Sequence, residues 1–134
     1  MSRIAAGVEG VFSLLVTHEV AVDFLGDERA RILGTPFLIG YLELTARNAI
    51  KHLLEAGQDT VGTHVDVRHL AATPLGMRVR FHAVVTGIED RRIRFRVEAH
   101  DEREKVAEGT HERFIVTVDR FSERLAAKRA ALGA

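Results

Sequence analysis

The sequence predicts an α+β fold in which a five-stranded antiparallel sheet wraps around one long central helix. Five segments show the two-residue alternation of apolar and polar residues that is typical of strands. One further segment, from Pro36 to about Glu55, has helical start and stop signals and an apolar first half. Strands with one apolar and one charged face need a cover over the apolar face. Only this helix is long and apolar enough to supply it.

Length and composition indicate one globular domain spanning residues 1–134. The chain has 19 basic residues (lysine plus arginine) and 19 acidic residues (aspartate plus glutamate). It therefore has no net charge to attract nucleic acid or a membrane surface. The absence of cysteine excludes disulfides, thiolate catalysis and cysteine-ligated metals. No segment has the pattern of a secretory signal or a membrane helix, and we therefore expect a cytoplasmic protein.

The first strand is predicted over Val11–Val22, because its even-numbered residues are mostly apolar and several odd-numbered ones are polar. Leu15 and His18 break this alternation. The polar stretch Asp23–Arg31, which contains Gly26, is predicted to be a loop or a short lid. The residues expected to face inward are Phe12, Leu14, Val16, Val20 and Val22.

The central helix is predicted to start at Thr35 and Pro36. A threonine suits the N-cap, and a proline suits the first helical position, where a backbone N–H has no helical partner. Gly57 is predicted to end the helix. The segment from Pro36 to Ala46 is apolar almost all the way round, which is typical of a helix buried on most sides.

Four further strands are predicted after the helix, separated by turn sequences and arranged as an antiparallel meander. They are Val61–Ala71, Met77–Ile88, Ile93–Ala99 and Val106–Val118. In the last strand Phe114, Val116 and Val118 are expected to face inward, and a helical tail is expected from Asp119. A five-stranded antiparallel sheet curled around one helix is the hot-dog architecture.

The outward parity of the two middle strands carries four arginines. They form either a patch for an anionic partner, such as the phosphates of coenzyme A, or a solvated face paired with acids. The balanced charge of the chain favours the solvated face. These arginines are Arg78, Arg80, Arg94 and Arg96.

Glu43 is the first candidate for chemistry, because its neighbours in the helix are apolar or small. A buried carboxylate needs either a raised pKa or a dedicated hydrogen-bond network. Such a group suits a general base, or a nucleophile toward an activated acyl group. A structural glutamate with a backbone or hydroxyl partner, or one that faces water at a gap in a dimer, fits the composition equally well.

His69 is the second candidate. It shares a strand face with Val65 and Val67, and the two valines mark this face as the one turned to the helix. We therefore expect His69 to point at Glu43, where an imidazole could hold an attacking water or bind a thioester oxygen. On local grounds an ordinary core histidine is favoured. The opposite face carries His64 and Asp66, so no metal site is expected here.

Thr35 is the third candidate, although its expected role as N-cap is purely structural. Free N–H groups at a helix N-terminus can also stabilise the oxyanion formed when a thioester is attacked. Thr35 and Glu43 are eight residues apart, about 12 Å along a helix. Within one helix they cannot touch, so a shared site needs either a loop that folds back or two subunits.

Three stretches resemble the fluoroacetyl-CoA thioesterase-like branch of the hot-dog fold thioesterase superfamily. They follow in matching order and spacing from about Thr35 to Phe121. The long stretch with His-x-Ala-Ala-Thr-Pro-x-Gly is the most specific. The stretches are Gly62–Gly76, Gly40–Glu43, and Ala99–Asp101 followed by Glu108–Arg113.

The resemblance implies an acyl-CoA thioesterase that releases free acid and coenzyme A without a metal or organic cofactor. It also implies an active site at the interface of a homodimer, and such dimers often pair again into tetramers. The implied catalytic residues are Thr35, Glu43 and His69. Gly62 is implied to lie beside the acyl group and Arg113 at the coenzyme A end. From the residues alone, a strand glycine and a surface charge fit these two positions as well.

The segment before the threonine departs from the fluoroacetyl-specific enzyme, which carries a longer lid rich in proline and phenylalanine. Here Gly26–Leu33 is shorter and charged, so a different short or medium acyl group is expected. Two other functions are open: a hot-dog enoyl-CoA hydratase or dehydratase, and a non-catalytic acyl-CoA-binding dimer. The nucleophile is open as well, among Thr35, Glu43 and water.

Overall fold

The structure is a computed structural model that describes residues 3–133. Five strands form one antiparallel sheet, and a long helix packs against one face of it. This arrangement confirms the predicted α+β hot-dog architecture. No helix in the described part of the chain is long and apolar enough to cross a membrane. The elements are β1 (Glu9–Leu15), β2 (Ala21–Val22), β3 (Ile32–Leu33), α1 (Thr35–Lys51), β4 (Gln58–His69), β5 (Arg78–Glu89), β6 (Arg92–Asp101), β7 (Lys105–Thr117) and α2 (Val118–Ala130).

The core lies between α1 and the sheet. Alternate residues of β5 and β6 are fully buried, with Phe81 and Phe95 the largest. Helix α1 contributes buried residues spaced three or four apart, including Leu38 and Leu42. The expectation that this helix is buried on most sides is wrong within one chain, because Phe37 on its opposite face is 40% exposed.

The strand order in the sheet is β1-β5-β6-β7-β4. Only β5, β6 and β7 form a meander, so the prediction of four meandering strands is wrong for β4. The segment after β4 does not turn back as a hairpin, because the Thr73 carbonyl accepts from the Leu33 N–H and Pro74 bridges to Ile32 of β3. As a result β4 pairs with β7 on one side and forms an edge of the sheet.

The first predicted strand is wrong beyond Leu15. The chain forms a 3-10 turn at His18–Val20, and β2 then pairs with β3. This short pairing closes the loop Asp23–Arg31, which was predicted as a loop or lid. The break falls where Leu15 and His18 interrupt the alternation, while Phe12 and Leu14 point inward as expected. The bounds of the later strands lie within three residues of those predicted.

Helix α1 begins at Thr35, with Gly34 as its N-cap and Pro36 in its first turn. The prediction of Thr35 as N-cap is therefore wrong. Gly34 has extended backbone angles, and its carbonyl accepts from the Leu38 N–H. The helix ends at Lys51, earlier than predicted, and Gly57 adopts φ +82° in the turn that leads to β4. Because Thr35 does not cap the helix, its hydroxyl is available for another partner.

Candidate active site

Thr35 and His69 meet where the start of α1 faces the end of β4. The Thr35 Oγ1 and His69 Nδ1 atoms are 2.8 Å apart, a hydrogen-bond distance. Thr35 is placed by the Gly34–Pro36 helix start, and His69 is the last residue of its strand. The threonine therefore fixes the orientation of the imidazole ring.

The second nitrogen of His69 is uncommitted. Its Nε2 atom is buried and has no hydrogen-bond partner of good geometry within residues 3–133. Burial lowers the pKa of His69, an effect that a backbone contact with Ala71 opposes in part. The ring is consequently neutral near pH 7. If the Thr35 hydroxyl donates to Nδ1, Nε2 carries the proton and can donate it.

A mostly apolar cleft of about 500 Å³ adjoins this pair. Volumes of this order are typical of small-molecule sites. Phe24, in the loop between β2 and β3, lies at the cleft and is 86% exposed. The cleft is lined by Val22, Phe24, Ile32, Leu33, Leu70 and Ala71 together with Thr35 and His69.

Glu43 lies on the third turn of α1, opposite Gly62 of β4. Its Oε2 atom is 3.4 Å from Nη1 of Arg113, and its side chain is 39% exposed. A Cβ atom on Gly62 would overlap Oε2 of Glu43, so the carboxylate sits directly against the strand backbone. Glu43 is thus neither isolated in apolar surroundings nor held by a hydroxyl, because it pairs with a buried cation.

Arg113 is buried, and the alternative that it is a surface charge is wrong. Its side chain is 6% exposed. Nε donates to Oγ1 of Thr60 at 2.8 Å, and Nη2 donates to the Thr60 carbonyl at 2.9 Å. Nη1 lies 3.2 Å from Nε2 of His111, whose Nδ1 donates to the His64 carbonyl at 2.7 Å. Burial lowers the pKa of both Arg113 and His111.

The prediction that Phe114 points inward is wrong, because the opposite parity of β7 faces α1. His111, Arg113 and Ile115 are buried there. Sequence reasoning missed His111 as a member of the site for this reason, and it missed Thr60 because strand β4 was predicted to begin one residue later, at Val61. The available signal was that His111 shares its parity with Ala107 and Ile115, which are apolar and buried. The inward prediction is also wrong for Val118, which begins α2 and is 43% exposed, whereas Val116 is buried as expected.

The prediction that His69 points at Glu43 is wrong within one chain. His69 contacts Thr35, whereas Glu43 contacts Arg113 beside Gly62. Gly62 and His69 are seven residues apart along β4, roughly 20 Å for a strand with one bulge. The chain therefore carries two separate clusters: a threonine–histidine pair and a glutamate–arginine–histidine network.

The outer arginines lie on a face of mixed charge, where Arg94 is 3.5 Å from Glu112 and 4.0 Å from Glu89. Within residues 3–133, no three histidine or acidic side chains are grouped so that they could hold a metal ion.

The five-stranded sheet with one helix packed against it is the hot-dog fold, and a polar pair lies beside its apolar cleft. The family model of the fluoroacetyl-CoA-specific thioesterase matches residues 16–119. The fluoroacetyl-CoA thioesterase of Streptantibioticus cattleyicolor is 35% identical over 104 residues, which cover 78% of this chain and 75% of that protein.

Solved structures agree with this match. A structure of the fluoroacetyl-CoA thioesterase superposes with a TM-score of 0.84 at 30% identity, covering 93% of this chain and 97% of that one. A thioesterase superfamily member from Thermus thermophilus gives 0.85 at 33% identity, covering 98% and 99%. The chain belongs to the fluoroacetyl-CoA-specific thioesterase family, and it is an acyl-CoA thioesterase that hydrolyses a thioester.

Proposed function

We propose that the chain works as a homodimer of one-domain protomers and hydrolyses short or medium acyl-CoA thioesters with Thr35, His69 and Glu43. The observation that carries this proposal is the Thr35–His69 hydrogen bond beside the apolar cleft, with Nε2 of His69 unpartnered. The hydrogen bond holds the imidazole in one orientation, and the cleft beside it has space for an acyl group.

The edge strand β4 supports a dimer with composite sites. It carries Gly62 in its first half, next to Glu43, and His69 as its last residue. Two copies of β4 paired across a twofold axis would run antiparallel. The His69 end of one strand would then approach the Gly62 end of the other. Each site would combine Thr35 and His69 of one protomer with the partner's Glu43.

Two exposed apolar residues also favour this dimer. Val65, midway between Gly62 and His69, is 37% exposed, and Phe37 of α1 is 40% exposed. A long strand edge with open N–H and C=O groups is a ready template for pairing with another chain. A dimer that forms through β4 would cover both the exposed apolar residues and the open strand edge. A tetramer that forms by further pairing of dimers stays a prediction.

In this proposal Glu43 and His69 carry out the hydrolysis of the thioester. Glu43 takes a proton from water, and the oxygen of that water attacks the thioester carbonyl. When the tetrahedral intermediate collapses, the carbon–sulfur bond breaks and the coenzyme A thiolate leaves, while the Nε2–H of neutral His69 donates a hydrogen bond to the departing sulfur. Glu43 then passes the proton that it took from water through solvent to the thiolate, which restores the carboxylate. Direct attack by Glu43, which expels the thiolate and forms a mixed anhydride that water then hydrolyses, is the alternative. Incorporation of ¹⁸O into the Glu43 carboxylate after a single turnover in ¹⁸O-water identifies direct attack, because water reaches that carboxyl carbon only through the anhydride.

The substrate is proposed from the cleft and the lid. A cleft of about 500 Å³ with an apolar lining suits a small acyl group. The loop Asp23–Arg31 is charged, and Glu28 in it bonds to both His18 and Arg31. Fluoroacetyl-CoA is the substrate in the relative's name. For this chain we propose it as one of several short acyl-CoA substrates and not as the only one.

Three further expectations stay predictions. They are the contact of Gly62 with the acyl group, the contact of Arg113 with coenzyme A, and the cytoplasmic location.

The test measures thiol release from short, medium and aryl acyl-CoAs by wild type, Glu43→Gln and His69→Ala. We expect both substitutions to reduce kcat/KM by roughly a hundredfold or more, the effect of losing an acid or base group. His100→Asn, on the outer face, serves as the matched control with normal turnover. Absence of thiol from every substrate with folded protein would refute this function. Hydration of an enoyl-CoA without thiol release would instead indicate a hydratase, and tight binding without turnover would indicate a binding module.

A further inference from the structure

The geometry points to a role for two buried side chains of β7: Arg113 and His111 are positioning residues that hold the Glu43 carboxylate against Gly62. This inference rests on the proposed function, in which Glu43 acts on the thioester. It differs from the expectation that Arg113 contacts coenzyme A.

Arg113 is committed to protein groups on three sides. Its guanidinium is a rigid planar fork with five donors. Two donors reach Thr60, at the hydroxyl and at the carbonyl, and Nη1 is shared between His111 and Glu43. With its side chain 6% exposed, this fork cannot swing toward a ligand without breaking several buried hydrogen bonds. What it presents to the site is one N–H at a fixed position, directed at Glu43.

His111 fixes the other end of this arrangement. Its Nδ1–H donates to the His64 carbonyl, so Nε2 of the neutral ring is bare and accepts from Nη1 of Arg113. The register shift of β4 between Gly62 and His64 lies next to that carbonyl. The ring also stacks on Phe95, with centroids 5.9 Å apart. One imidazole therefore links the bulged strand to the guanidinium.

Gly62 completes the holding site from the opposite side. A Cβ atom there would overlap Oε2 of Glu43 and would lie 3.3 Å from Cε1 of His111 and 3.5 Å from Nη1 of Arg113. The glycine and the guanidinium thus meet at one carboxylate oxygen, and the imidazole lies beside them. The charged or titratable groups that act on His111 are Arg113 on β7, Glu43 on α1 and His64 on β4.

The experiment compares His111→Asn with His111→Gln in the full chain. Asparagine can keep the hydrogen bond to the His64 carbonyl but cannot reach Arg113, whereas glutamine places an acceptor near the position of Nε2. We expect His111→Asn to lower kcat about tenfold with KM within about twofold, because displacement of a catalytic group lowers the rate without weakening substrate binding. We expect His111→Gln to restore most of kcat.

A double-mutant cycle identifies the route of the effect. In a Glu43→Gln background, His111→Asn is expected to add no further loss of kcat, because the residue acts only through the carboxylate. An unchanged kcat in His111→Asn, an effect mainly on KM, no recovery with glutamine, or a full additional loss in the Glu43→Gln background would each overturn the inference. If His111→Asn does not fold, Thr60→Val removes the Nε acceptor of Arg113 and is expected to give the same pattern.

Failure of the proposed function has a different signature. In that case wild type releases no thiol from any substrate, or Glu43→Gln itself turns over like wild type, whatever the substitutions at His111 do. His100→Asn changes a histidine on the outer face of β6 and controls for loss of an imidazole as such. It is expected to leave both kcat and KM at their wild-type values.

Discussion

Oγ1 of Thr35 lies 2.8 Å from Nδ1 of His69, although the two residues are 34 positions apart and belong to different layers of the fold. The contact exists because Gly34, and not Thr35, caps α1, which leaves the hydroxyl free. It occupies one ring nitrogen of His69 and leaves Nε2 without a hydrogen-bond partner among the described residues.

Removal of the Thr35 hydroxyl is expected to impair catalysis more than folding. Thr35→Val keeps the shape of the side chain but cannot bond to His69, so the ring loses its fixed orientation. We expect kcat/KM to fall by about tenfold to a hundredfold. Thr35→Ser keeps the hydroxyl and is expected to stay within a few fold of wild type. Equal losses in the two variants would contradict a role for the hydroxyl.

Mixed dimers test whether the two clusters combine across subunits. His69→Ala and Glu43→Gln homodimers are each expected to be nearly inactive. In a heterodimer one composite site has both wild-type residues, so an equimolar, fully exchanged mixture should recover about a quarter of wild-type activity. If each site lies within one chain, mixing recovers nothing. The measurement is thiol release before and after exchange of subunits.

Two glycines of the sheet are expected to respond in opposite ways to alanine. A Cβ at Gly62 meets the flexible end of Glu43, so Gly62→Ala should fold with a nearly normal Tm while kcat falls at least tenfold. A Cβ at Gly109 meets the backbone of Asp66 and Val67, which cannot move aside. Gly109→Ala should therefore lower Tm markedly. A large Tm loss in Gly62→Ala with unchanged kcat per folded molecule would contradict the placement of Glu43.

The acid limb of the pH profile is expected below pH 6.5, the ordinary pKa of histidine. Burial lowers the pKa of His69 and of His111, and both residues work in their neutral forms. The two rings are therefore protonated, and lose their neutral forms, only at a lower pH. kcat/KM measured from pH 4.5 to 8 should stay level down to about pH 6.5. An inflection above that value would contradict neutral buried imidazoles.

The Arg47–Asp59 ion pair is expected to make stability depend on acid pH. Arg47 donates to Asp59 through Nε at 3.0 Å and through Nη2 at 2.6 Å, which joins α1 to β4. These bonds hold the pKa of the Asp59 carboxyl far below its ordinary value of 3.8. Below that ordinary value the unfolded chain binds more protons, so the stabilisation is complete near neutral pH and is lost as pH falls below about 4.

Asp59→Asn is expected to lower the free energy of unfolding by about 1–3 kcal/mol at pH 7. It should also flatten the loss of stability between pH 4 and pH 2, since the titrating group is gone. Asp27→Asn, which removes an exposed partner of Arg29, is the matched control and should leave the urea midpoint nearly unchanged. Equal midpoints for wild type and Asp59→Asn at pH 7 would sink the prediction.

Part of the site follows from local sequence. The Gly34–Pro36 start, the apolar first half of α1 and the alternation of β5 and β6 determine a helix covered by a sheet. They also place Glu43 on that helix and His69 on the inward parity of its strand. These inferences succeed because backbone geometry and side-chain periodicity act over a few residues. The eight-residue spacing of Thr35 and Glu43 likewise excluded their contact within one helix.

The tertiary structure decided the rest. β7 has apolar residues on both parities, so its pattern did not determine which side faces α1, and Arg113 and His111 proved to be the buried ones. The edge position of β4 depends on a connection that contacts β3 instead of forming a hairpin. The partner of Thr35 depends on where β4 ends. Such features arise from contacts between residues that are distant in the chain. The local periodicity of the sequence carries no information about the free energies of those contacts.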